Sequence, residues 1–181
     1  MNELTSLVAR YLLVMGAAAA VLAASDRVPA LLAGATHGAR VYRTVPEAEA
    51  ALGARLLVPS YYPDTLGWPP SRVEVAPGPP AVAAIHASGR GTPRDALVLC
   101  QSIGAPAAPP GWLLPPLERL QDAEVAVGRH GGRLTRLLTP GGRVVHDLSW
   151  TQGARRFTLR YEGAAEDLLR MARALARDDA P

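Results

Sequence analysis

The chain has 181 residues, enough for one modest domain and a targeting or anchoring segment. Hydrophobic residues make up 49% and aromatics only 5%, so a core must be built mainly from Val, Leu and Ala. All 19 basic residues are Arg, which with the abundant Ala, Gly and Pro matches the codon usage of a GC-rich genome, and a net charge of +3 spread along the chain argues against a nucleic-acid partner.

Cys100 is the single cysteine, so an intrachain disulfide and a two-cysteine haem attachment are both excluded. No cysteine follows the apolar N-terminal segment, which argues against a lipoprotein signal.

Residues 11–24 are uncharged and apolar on every face, with Arg10 before them and Ser25, Asp26 and Arg27 after. Their length suits a signal-peptide core of about 7–15 residues, with small-residue cleavage sites near Ala23 or Ala35. Extended back to Leu4, with Arg10 snorkelling, the span reaches the roughly 20 residues of a transmembrane helix. Both readings leave the rest of the chain outside the cytoplasm, because the positive flank is N-terminal. The expected organisation is a membrane anchor or signal segment at 1–27, a linker at 28–40 and an extracytoplasmic domain at 41–181. A retained single-pass signal-anchor in a bacterial membrane is the expectation, with a secreted or periplasmic product after cleavage as the alternative.

Within the domain, residues 45–53 read as a short helix with Pro46 at its start, Glu47 and Glu49 at the positive end of the dipole and Gly53 as C-cap. Residues 55–58 then read as a strand, and 59–70 as a stiff, proline-rich aromatic loop. In 71–76, Val73 and Val75 alternate with Arg72 and Glu74; 82–87 is its expected partner, and 95–103 a central apolar strand. Residues 105–116 form a proline-rich surface loop, followed by strands at 124–127, 133–138 and 143–150, with His130-Gly131-Gly132 and Pro140-Gly141-Gly142 as turns. Trp150 and Leu148 then face Phe157, Leu159 and Tyr161 across a hairpin turning at Gln152-Gly153. Residues 164–177 close the chain as an amphipathic helix with Leu168, Met171, Ala172 and Leu175 on one stripe. The expected fold class is α+β, a curved antiparallel sheet with both helices on one face.

The order of these motifs resembles a known group. A Glu/Ala helix ends in Ala51-Leu52-Gly53, a segment reading Val-Pro-Ser-Tyr-Tyr-Pro follows at 58–63, a Trp-containing hairpin runs from Leu148 to Tyr161, and a Leu- and Arg-rich helix covers 166–175. This is similar to the bacterial extracytoplasmic domain of unknown function found in anti-sigma-like and sporulation-associated proteins, itself distantly similar to the lipoprotein-carrier fold. The resemblance spans about residues 41–177. It implies the fold and the side of the membrane, and brings no catalytic residue.

Adjacent strand residues point to opposite faces, so His146 and Asp147 cannot form a dyad with each other. His37, His86, His130 and His146 show no zinc spacing, and Cys100 on an apolar strand reads as an inert core thiol. The glycine-rich stretches at 128–132 and 141–142 do not open a helix after a strand, as nucleotide-binding loops do. No metal, cofactor or catalytic residue is expected. Tyr61, Tyr62, Trp68 and Trp112 fall in proline-rich loops instead, where stiff aromatics suit either a binding surface or a lid over a sheet edge. The expected function is therefore a non-enzymatic, membrane-held domain that binds another envelope protein through these loops, as an accessory subunit of a membrane complex. The alternative is a lipid or lipoprotein-peptide carrier or sensor with an apolar cavity between sheet and helices.

Overall fold

Eight strands and two helices follow one another in the described part of the computed structural model, residues 38–177. They are β1 (Arg40–Tyr42), α1 (Val45–Leu52), β2 (Arg72–Ala76), β3 (Ala81–Ser88), β4 (Asp95–Ile103), β5 (Glu118–Val127), β6 (His130–Leu138), β7 (Val144–Gln152), β8 (Arg155–Tyr161) and α2 (Ala165–Arg177). A compact unit begins at Ala39. The apolar N-terminal segment, most of the expected linker and His37 lie outside the described residues. Among the described residues no helix is long and apolar enough to cross a membrane.

The strands form one open sheet in the order β1-β2-β3-β4-β8-β7-β6-β5, with every neighbouring pair antiparallel. With the two helices this is the α+β class expected from the sequence. The order follows from two meanders. The chain pairs β1 to β4 in sequence, leaves the sheet through residues 104–117, re-enters at the far edge as β5, and meanders back until β8 lies beside β4.

Alternation decides what each face carries. Val73, Ile85, Leu99, Leu159 and Leu148 stand in one row across five strands. They meet Ala48 of α1 and Leu168, Met171, Ala172 and Leu175 of α2 in a single buried cluster. Both helices thus pack on this face. The stripe on α2 is apolar at helical spacing, and Glu166 and Asp167 sit in its first turn where the dipole favours them. Trp150 and Phe157 stack with ring centres 5.0 Å apart under it. The layer between sheet and helices is filled by these side chains, Phe157, Leu148, Leu159, Leu168, Met171 and Leu175 all being fully buried.

Local signals explain the helix and turns. Thr44 caps α1 by accepting from the Glu47 amide at 3.3 Å, and Glu47 accepts from the Arg43 amide at 3.1 Å. Gly53, at φ +61°, ends it in the left-handed conformation that a side chain would oppose. The β7–β8 turn is made by Gly153 and Ala154, with Gly153 at φ +56°.

Four sequence expectations need correction. Residues 55–58 are extended but belong to no strand. The Gln101 side-chain amide stands in for a neighbouring strand: its Oε1 accepts from Leu57 N at 3.0 Å and its Nε2 donates to Leu57 O at 3.0 Å. The turn before β6 is Gly128-Arg129, not His130-Gly131-Gly132, which is paired strand. Strand β5 starts at Glu118, six residues before the expected Glu124, because its first half is exposed on both faces and shows no alternation. Residues 105–116 are more than a surface loop, since Leu113 and Leu114 are buried against Ala76, Val82, Ala84 and Cys100 on the sheet face opposite the helices.

Candidate functional site

The four aromatics singled out from the sequence do not form one surface. Tyr61 and Tyr62 pack against the helix-side cluster, whereas Trp112 packs against the smaller cluster on the opposite face. Tyr61 is held from α2 on two sides. Its hydroxyl donates to Asp167 Oδ1 at 3.0 Å, and the Arg170 guanidinium lies 4.1 Å from its ring centre. Loss of solvent and the hydrogen bond to Asp167 raise its pKa. Tyr61 is thereby committed to locking the loop onto α2.

Tyr62 and Trp68 do meet. Their ring centres are 4.3 Å apart at a tilt of 31°. Burial raises the Tyr62 pKa, while Trp68 keeps 50% of its surface in solvent. The loop is pinned to the end of β3 by Gly67 N to Ser88 O at 2.8 Å and Arg90 N to Thr65 O at 2.7 Å. Pro69 and Pro70 follow directly, so the indole is presented on stiff backbone. Exposed large apolar side chains are few here; Val41 and Leu120 are the others among the described residues.

A second constellation was not assembled from the sequence. On the helix-free face, His86 is buried between two carboxylates. Its Nδ1 lies 3.0 Å from Asp95 Oδ2 and its Nε2 3.7 Å from Glu74 Oε1. Arg72 closes the group, with Nε 2.7 Å from Glu74 Oε1 and Nη2 2.8 Å from Asp95 Oδ2. Burial alone would raise the Asp95 pKa, but His86 and the Arg72 guanidinium outweigh it and hold the carboxyl below the usual range. Alternation in β2 had put Arg72 and Glu74 on one face; the register Arg72↔His86 supplies the missing partner. Arg72 pairs with both carboxylates, while the buried Nε2 of His86 has no hydrogen-bond partner.

The remaining candidates are structural. His146 accepts or donates through Nδ1 to Gly163 O at 3.0 Å. Asp147, on the other face as expected, binds Arg160 in a two-pronged pair at 2.7 and 2.8 Å. Cys100 is buried, and loss of solvent pushes its thiol up to about 12, the reverse of an activated nucleophile. Among the described residues no three His, Cys, Asp or Glu side chains gather as a metal site. No family profile, curated protein or solved structure matches the chain.

Proposed function

We propose that this chain is a non-enzymatic extracytoplasmic domain, held at a bacterial membrane by its N-terminal segment, that binds another envelope protein. The observation that carries this reading is the Trp68–Tyr62 pair, a half-exposed indole backed by a partly buried ring on a proline-stiffened loop. Such a group loses little conformational freedom on contact and buries a large area, which is what interface anchors do. The membrane tether raises the local concentration of the domain for neighbours in the same bilayer, so a modest patch suffices. The carrier reading has no comparable support, because side chains fill the layer where its cavity would lie.

The test is purification of the tagged full chain from native membranes in mild detergent, with mass spectrometry of retained proteins. A stoichiometric membrane-protein partner is expected. Trp68→Ala should lower its retention at least about tenfold, as loss of an anchor worth about 2 kcal/mol would. Trp112→Ala, on the opposite face, should leave it unchanged. Equal retention by wild type and Trp68→Ala would remove this loop from the interface.

A further inference from the structure

Both the β5–β6 and β7–β8 turns lie at one end of the sheet, and there β5 to β8 enclose an open hollow of about 920 Å³. Its lining is cationic. Arg129, Arg133 and Arg156 contribute three guanidinium groups against the single carboxylate of Glu124. Strand register brings them together: Glu124 stands opposite Arg133, Arg133 opposite Ser149, and Thr151 opposite Arg156. Ser149 and Thr151 add two hydroxyls to the same wall.

On the strands, Arg72, Arg119 and Arg160 are each held by a carboxylate, whereas Arg40, Arg136 and Arg155 are in no ion pair among the described residues. Among the described residues no ion pair includes Arg129, Arg133 or Arg156. The Nε of Arg156 is moreover buried and has no hydrogen-bond partner. A buried donor without an acceptor is costly. The floor is open above Gly131, where an added Cβ would meet nothing within 4 Å, so the space for a ligand is not taken by the strand itself.

We propose that this hollow binds a phosphate-type oxyanion. Arg133 and Arg156 form the clamp, since the planar guanidinium fork matches two oxygens of a tetrahedral anion. Ser149 and Thr151 donate further hydrogen bonds. Glu124, facing Arg133, repels the ligand and limits its affinity. The source is either a soluble phosphorylated molecule or a phospholipid headgroup, and the hollow exceeds what a lone phosphate fills. The inference rests on these strands and not on the Trp68 loop, so it stands or falls apart from the partner-binding reading.

The test uses the full chain in zwitterionic detergent micelles, reading the amide resonances of Gly131 and Thr151. One arm titrates inorganic pyrophosphate; the other mixes phosphatidylglycerol into the micelles. Saturable shifts are expected, weakening as salt is added. Arg133→Gln and Arg156→Gln should each weaken binding at least about tenfold, as loss of a charged hydrogen bond does. Glu124→Gln should tighten it. Should Arg156→Gln fail to fold, Gly131→Leu fills the open floor and must abolish the shifts. A response to pyrophosphate assigns a soluble ligand, and a response to the lipid alone assigns a headgroup; either supports the site. Absence of saturable shifts in both arms overturns it, as does unchanged affinity in Arg133→Gln and Gly131→Leu.

Discussion

On the helix side of the sheet, Leu99, Leu148, Phe157 and Leu159 are fully buried in one cluster with the apolar stripe of α2. On the reverse side, the same central strands carry Asp95, Arg160 and Asp147, and the adjoining β2 and β3 carry Glu74 and His86. One face is held by apolar area, the other by charge pairs under a partial cover of Leu113 and Leu114. Burial of apolar surface is non-directional and scales with area, whereas each charge pair holds only if its geometry is kept. Stability therefore resides on the helix side, while the reverse side offers side chains with defined directions, which recognition requires.

Substitutions on the two faces should separate these contributions. The largest effect is expected at Phe157, fully buried and stacked on Trp150. Phe157→Ala should cost about 3–5 kcal/mol in urea unfolding. Next comes Arg160, which holds Asp147 in two hydrogen bonds and reaches Pro115 O at 2.6 Å. It thus ties the 104–117 crossover to the sheet, and its side chain is only 15% exposed. Arg160→Ala should cost about 2–4 kcal/mol, because Asp147 is left without its cation. If Arg160→Ala proved costlier than Phe157→Ala, the division of labour between the faces would be wrong. Leu113→Ala should follow at about 2 kcal/mol, since Leu113 is buried in the smaller cluster and sits on a loop that can collapse onto the cavity. Its cost should fall further in an Arg160→Ala background, where the loop is already loosened.

The same contrast explains what the sequence made legible. The β7–β8 hairpin was readable because one face is buried: Leu148 and Trp150 alternate with Asp147 and Ser149. The first half of β5 was not, since Glu118 to Ala123 are exposed on both faces and alternation carries no signal there. Gly131 and Gly132 read as a turn by composition, yet Gly132 is paired strand, and it is glycine where an added Cβ would lie 3.1 Å from Val127 and 3.2 Å from Ser149 O. The aromatic loops were legible as loops but not as separate surfaces, because the face each one covers is set by the sheet order. The Arg72–Glu74–His86–Asp95 cluster and the Arg133–Arg156 hollow depend on which strand pairs with which, and at what register. Local pattern does not encode that, so both emerged only with the fold.

The smallest expected effect concerns the acid end of the reverse face. Asp95 is faced by His86 at 3.0 Å and by Arg72 at 2.8 Å, with Glu74 beyond them, and its folded pKa lies below the ordinary carboxylate value. A carboxylate lowered on folding contributes stability that is present above its unfolded pKa and is lost as pH falls through the folded one. The contribution should therefore be complete at pH 7, begin to fade near pH 5, and vanish below the folded pKa. Asp95 is partly solvated, so screening keeps it below about 1 kcal/mol. Thermal melts of wild type and Asp95→Asn from pH 7 to pH 3 give the check. Asp95→Asn should melt lower at pH 7, and the gap should close toward pH 3. A gap that widens on acidification would mean that Asp95 repels Glu74 more than Arg72 and His86 hold it, and that the reverse face carries charge strain in place of charge pairing.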